Sequence, residues 1–157
     1  EDTALFAGFR RTALYLQGAL PLGDRHTLLA EAAAGLGSGS LPYYERFGIG
    51  GNDYLISYPL RGYHRREFVG EDMLGAAVTY QVRIAEYHLQ AVRALYCSLT
   101  GGAANTWDTR TDMSGRSPHL GGGIAVAADT VLGPVRLEFG AGEHQRYLLY
   151  FSAGFDF

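Results

Sequence analysis

The chain of 157 residues has no long apolar run, and this excludes the commonest way of crossing a membrane. A spanning helix needs about 18 or more uncharged apolar residues in a row, and none occurs. It has one cysteine, Cys97, so an internal disulfide framework is excluded. It has no basic excess: the formal net charge is -3, which gives no reason to expect nucleic acid as a partner. No low-complexity tract, linker or short repeat divides the sequence, and its length suits one domain over 1–157. No signal peptide is legible at Glu1-Asp-Thr-Ala-Leu5.

What the chain does have is apolar content hidden by alternation. Hydrophobic residues make up 47% of it, yet the mean hydropathy is only -0.05. The clearest case is the last stretch, 147–157. Tyr147, Leu149, Phe151, Ala153, Phe155 and Phe157 fall on one face at a period of two. Leu148, Tyr150, Ser152, Gly154 and Asp156 fall on the other. Period two is the signature of a strand whose sides meet different surroundings. An apolar face that ends on an aromatic residue fits the closing strand of an outer-membrane barrel, with lipid outside and aromatics at the interface. The soluble alternative is an edge strand of a β-sandwich, its apolar face against a second sheet.

Other segments repeat the pattern. Val78, Tyr80, Val82 and Ile84 oppose Thr79, Gln81 and Arg83. Val135, Leu137 and Phe139 oppose Arg136 and Glu138. Strands are also expected at Thr12–Leu20, Leu28–Gly35, Ala91–Leu99 and His119–Asp129, with Ala4–Phe9 as an eighth. Pro21–Asp24 and Leu132-Gly-Pro134 read as short turns. The segments 39–73 and 101–118 read as long loops. Short turns at one end and long loops at the other are the asymmetry of outer-membrane barrels. The 22 glycines suit turns and close strand approach, and the 11 tyrosines and Trp107 suit interface girdles. The expected fold class is therefore all-β, an antiparallel transmembrane β-barrel with about eight strands per chain, in a bacterial outer membrane. A barrel protein is exported, so the sequence reads as a mature chain or as a piece of a larger one.

The first long loop carries Phe47-x-x-Gly50-Gly51 and then Arg61-Gly62-Tyr63. This pattern resembles the bacterial surface antigen superfamily. Its members include the core subunit of the barrel assembly machine, the transporters of two-partner secretion and patatin-like outer-membrane proteins. The resemblance continues through the Gly121–Phe139 segment with its Gly-Pro turn. It ends on a C-terminal assembly signal formed by Tyr147, Leu149, Phe151, Phe155 and Phe157. It implies that the loop folds into the barrel lumen and that an acid on the inner wall holds Arg61. The family's Asp-x-Gly element is absent from Leu95–Gly102, so Arg61 either takes Glu31, Asp129 or Glu138 as its partner or is not locked. A buried guanidinium needs such a carboxylate.

Family barrels have about 16 strands, so this chain resembles the C-terminal half. An eight-stranded barrel fills its lumen with its own side chains and leaves no room for the loop. A lumen-loop motif on a chain too short to make its own lumen leads to the expectation of a homo-oligomer, two copies joined edge to edge into a wider barrel of about 16 strands. The implied role is outer-membrane protein insertion or polypeptide transport. Implied partners are outer-membrane lipid and lipopolysaccharide, the barrel assembly machinery and a polypeptide substrate. The alternative is a passive small barrel with a structural or adhesive role.

No catalysis, cofactor or metal is expected. An outer-membrane lipid hydrolase would need a nucleophile, a base and an orienting acid. Ser57, His64 and Glu67, or Ser117 and His119, are near in sequence but lack a nucleophile context. His26, His64, His88, His119 and His144 have no ligand spacing. Gly121-Gly-Gly123 has no Lys-Ser/Thr after it and is no phosphate loop; close neighbours or an aromatic over glycine explain it better. His64-Arg-Arg66 reads as a solvated cluster, with lipopolysaccharide phosphate as its alternative contact.

Overall fold

The computed structural model describes residues 8–52, 57–87, 91–108, 115 and 117–154. Alternating sequence becomes strand nearly throughout. The strands are β1 (Arg10–Pro21), β2 (His26–Ser38), β3 (Phe47–Ile49), β4 (Phe68–Gly70), β5 (Asp72–Glu86), β6 (Val92–Trp107), β7 (His119–Thr130), β8 (Gly133–Gly142) and β9 (Arg146–Ala153). Seven of them form one sheet in the order β1-β2-β5-β6-β7-β8-β9, and every neighbouring pair is antiparallel. The other two, β3 and β4, pair with each other inside the long β2–β5 loop.

The strands are joined as a meander, so each connection sets the next register. At the turn end, Leu22 N–H bonds His26 O at 2.9 Å, and Thr130 Oγ1 donates to Gly133 O at 2.6 Å. The expected turns at Pro21–Asp24 and Leu132–Pro134 lie at these two connections.

Three expectations are corrected. The sheet is open among the described residues: β1 and β9 are its two edges, and seven strands, not eight, compose it. The eighth strand falls mainly on residues outside those described, and Gly8 and Phe9 are not in a strand. The second long loop is shorter than expected. β6 continues to Trp107, paired residue by residue with β5 as far as Trp107 opposite Asp72. Gly101, Gly102, Ala103 and Ala104 hide the alternation there, because small side chains carry almost no polarity signal.

The two faces of the sheet differ in polarity. The outer face carries Leu14, Leu16, Val78, Leu99, Ile124, Val126, Leu137 and Phe139, all exposed, and continues over β9 with Leu149 at 68% and Phe151 at 70% exposure. The inner face carries Thr79, Ser98, Thr100 and Glu138, all buried. Thr79 and Thr100 share a hydroxyl–hydroxyl bond of 2.9 Å across β5 and β6. The residues that cover the inner face come from the β2–β5 loop: Phe47, Ile49, Tyr58, Leu60 and Tyr63 pack with Ala33, Met73 and Ala104 into the hydrophobic cluster.

Candidate functional site: the Arg61 loop on the inner wall

The loop is a folded unit before it is a site. Phe47, Gly48 and Ile49 pair with Gly70, Val69 and Phe68. Tyr58 N–H donates to Gly48 O at 2.8 Å, and Gly50 N–H donates to Tyr58 O at 2.9 Å. Gly51 N–H donates to Tyr63 O at 3.0 Å, which links the Gly-Gly pair to the Arg-Gly-Tyr tripeptide. Gly50 has a φ of 118° and its Cβ position is occupied by the backbone of His64, so a side chain is excluded there. Phe47 is 1% exposed and lies against Gly35 of β2, with the Arg11 guanidinium of β1 4.3 Å from its ring centroid. That distance is in the cation–π range.

Arg61 is 7% exposed. Its Nε donates to Glu138 Oε1 on β8 at 3.1 Å, and its Nη1 lies 3.7 Å from Glu31 Oε1 on β2. Glu138 also accepts Arg136 Nε at 3.2 Å on Oε2, and Arg136 Nη2 lies 3.2 Å from its Oε1 as an ion pair. Two guanidinium groups thus flank one carboxylate that is itself 1% exposed. This is the condition under which a charge survives burial. Of the three expected partners, the structure brings Glu138 and Glu31 to Arg61. Asp129 is elsewhere: it pairs with Pro134 while Glu138 pairs with Ala125, four positions further along β7. That is roughly 13 Å along the strand. Asp129 instead lines a cavity of about 440 Å³ with Gln81, Tyr96, Arg136 and Ser152.

Glycine makes the seat for the tripeptide. A Cβ at Gly121 would strike Arg61 O, and one at Gly123 would lie 3.0 Å from Glu138 Oε1 and 3.2 Å from Arg61 Cγ. A Cβ at Gly140 would lie 2.6 Å from Gly62 N, and one at Gly142 2.9 Å from the Tyr63 ring. Gly62 has a φ of 87°, and a side chain on it would overlap the backbone of Ala141 and Gly142. Gly121 and Gly123 are therefore a floor for the loop, of the close-neighbour kind the glycine run suggests.

Several site residues carry no motif in the sequence. Tyr150 on β9 accepts Gly62 N–H at 2.9 Å and Tyr63 N–H at 3.1 Å, and donates to Tyr63 O at 2.8 Å. The Tyr63 hydroxyl donates to Leu120 O at 3.1 Å and accepts Glu143 N–H at 3.0 Å. Burial pushes the Tyr63 hydroxyl up from its ordinary value. His119 Nδ1 lies 3.2 Å from Glu143 Oε2, and the His119 ring stacks on Phe68 at 3.8 Å between centroids. The hydrogen bond from His119 is the main cause that holds the Glu143 carboxyl below its usual range. Arg146 pairs with Glu67 and sits 5.7 Å from the Tyr63 ring centroid. The only sequence trace of Tyr150 is its inward parity on the closing strand.

Ser57 Oγ donates to Gly50 O at 2.7 Å, and Glu67 accepts the backbone N–H of His64 at 2.8 Å. Asn105 Nδ2 donates to the Ser117 carbonyl at 3.0 Å. Among the described residues no group of three or more His, Cys, Asp or Glu is placed to hold a metal. Of the expected assembly signal, Tyr147, Leu149 and Phe151 are exposed on the outer face of β9. Phe155 and Phe157 lie outside the described residues.

The sequence profile of the Omp85 superfamily domain matches residues 7–157. No curated protein matches the chain. The matched range takes in all nine strands and the loop they carry, so the chain belongs to the Omp85 superfamily, the bacterial surface antigen family of outer-membrane assembly and translocation proteins.

Proposed function

We propose that the seven strands form part of the wall of an outer-membrane barrel that holds the Arg61 loop in its lumen, and that this barrel works in outer-membrane protein insertion or polypeptide transport. The observation that carries the reading is the inverted polarity of the sheet. Its exposed face is apolar over all seven strands, while its covered face holds the Arg61–Glu138–Arg136 network. Such a continuous apolar face is a surface for lipid. A pore or seam works by weak edge pairing and needs no reacting group, in keeping with a family of generally non-enzymatic transporters and assembly factors.

The partners proposed are outer-membrane lipid and lipopolysaccharide on the outer face, the barrel assembly machinery that inserts the chain, and a polypeptide in the lumen. Open strand edges are not tolerated in lipid, so β1 and β9 require further strands. A second copy, joined edge to edge, is the completion we propose. Mass determination in detergent tests it: two chains per particle are expected, and one chain with complete heat-modifiable β-structure overturns it. The role itself is tested by Arg61→Ala in cells. Lost export or assembly with the chain still inserted supports a working loop. An unchanged phenotype supports a passive barrel instead.

A further inference from the structure

We infer that Tyr150 is a positioning residue for the loop motif, and that through it the closing strand β9 and the Arg61 loop move as one unit. The inference rests on the reading of the loop as seated on the inner wall of a barrel.

A tyrosine hydroxyl has one proton to give and two lone pairs to offer. At Tyr150 all three go to two consecutive residues of the loop: both N–H groups of Gly62 and Tyr63, and the Tyr63 carbonyl. No other side chain among the described hydrogen bonds serves the loop backbone with three bonds from one atom. The ring is placed by the same sequence feature that seats the loop, since a Cβ at Gly140 would lie 2.7 Å from Tyr150 Cε2. The position along the strand is also set, because Tyr150 lies directly opposite Glu138 in the β8–β9 register. The ion pair to Arg61 and the triple bond set to Gly62–Tyr63 therefore start from one cross-strand pair.

The polar attachments around the Arg61-Gly62-Tyr63 tripeptide are unevenly shared between the two sides of the sheet, whereas Phe47 packs on the β1–β2 side. On the β8–β9 side the loop meets Glu138, Tyr150 and Arg146. On the β2 side Arg61 meets Glu31 at 3.7 Å. Among the described residues β9 has only β8 as neighbour in the sheet. A tilt of β9 away from β8 must either carry the loop with it or break its bonds to Gly62 and Tyr63. Coupling of this kind is reciprocal: releasing the loop frees β9, and moving β9 frees the loop.

The test uses the full chain, folded in detergent, and compares wild type with Tyr150→Phe and Glu138→Gln. Tyr150→Phe keeps the ring and deletes only the hydroxyl. Hydrogen exchange is followed in the peptides covering 60–64 and 147–152, together with trypsin cleavage after Arg61. With Tyr150→Phe, exchange at 60–64 and cleavage at Arg61 should each rise about tenfold, the size expected when two N–H groups lose their acceptor. Glu138→Gln lies outside β9, yet exchange at 147–152 should rise as well. Unchanged exchange at 60–64 in Tyr150→Phe overturns the positioning role. Unchanged exchange at 147–152 in Glu138→Gln overturns the coupling, and this arm decides even where Tyr150→Phe fails to fold. Wild-type cleavage at Arg61 as fast as at exposed Arg65 would instead overturn the seating of the loop, and with it the proposed function.

Discussion

Arg61 is a cation that the fold takes almost wholly out of water, and its removal reaches beyond its own contacts. Arg61→Ala leaves Glu138 buried with Arg136 as its remaining described partner. The expected cost is about 3 kcal/mol, toward the lower end for a broken buried pair because Arg136 stays. Urea unfolding in detergent would measure it. Arg61→Lys should recover only part, since an ammonium cannot reproduce the planar fork between Glu138 and Glu31. Gly62→Ala should cost more than about 1 kcal/mol, because a φ of 87° and the backbone of Ala141 and Gly142 both oppose a methyl group. Its expected signature is loss of protection at Arg61 with the outer strands still paired. The motif residues were legible because Gly-Gly and Arg-Gly-aromatic stand in plain sequence. Asp129 was misassigned as a partner because alternation gives the face of a side chain and says nothing of its height along the barrel wall. Tyr150 shows its parity in the sequence, but its bonds go to residues 87 and 88 positions away.

At the scale of elements, the β2–β5 loop is the part that sequence patterning described least well. It reads as an irregular stretch, yet it contains a two-stranded sheet and two further bridges, Ile49 to Tyr58 and Gly51 to Leu60. These contacts are short and lie between glycines, so no period builds up. The loop is latched to the β8–β9 turn by Glu143, which faces His119 and Tyr63, while Arg146 and Glu67 pair beside it. The Glu143 carboxyl titrates below its ordinary value of 4.5 in the folded chain. A lowered carboxyl stabilises the fold above about 4.5, and that contribution disappears as pH falls through the folded value. Acidification below 4.5 should therefore loosen the latch, read as a lower protection factor at Tyr63 after the intrinsic pH dependence of amide exchange is divided out. Glu143→Gln should remove the pH dependence and leave the strands intact. Glu143 is partly exposed, so the effect on global stability should be small.

For the whole molecule, the polarity of the two faces is the property with the largest consequence. Ile124 and Thr79 are both strand residues on neighbouring parts of one sheet, but one points outward and the other is buried against Thr100. Ile124→Arg should cost about 2–4 kcal/mol in a bilayer if it lies near the midplane. The same change in a soluble sheet would cost almost nothing at a site that is 55% exposed. Refolding wild type and Ile124→Arg into lipid vesicles, with urea titration of each, separates the two cases.

Most strands of the main sheet, the face each of their side chains takes and the loop that holds the Arg-Gly-Tyr motif were legible in the sequence alone, whereas β3, β4 and the end of β6 were not. The legible features follow from local rules: a period of two, turn residues, and a short motif at fixed spacing. Tertiary structure decided the rest. It chose Glu138 and Glu31 as the counter-ions, put Tyr150 beneath the loop, laid four glycines as its floor and left β1 and β9 as edges. Those outcomes depend on register and on the height of one strand against another. Both come from summed pairing across seven strands, which no single segment encodes.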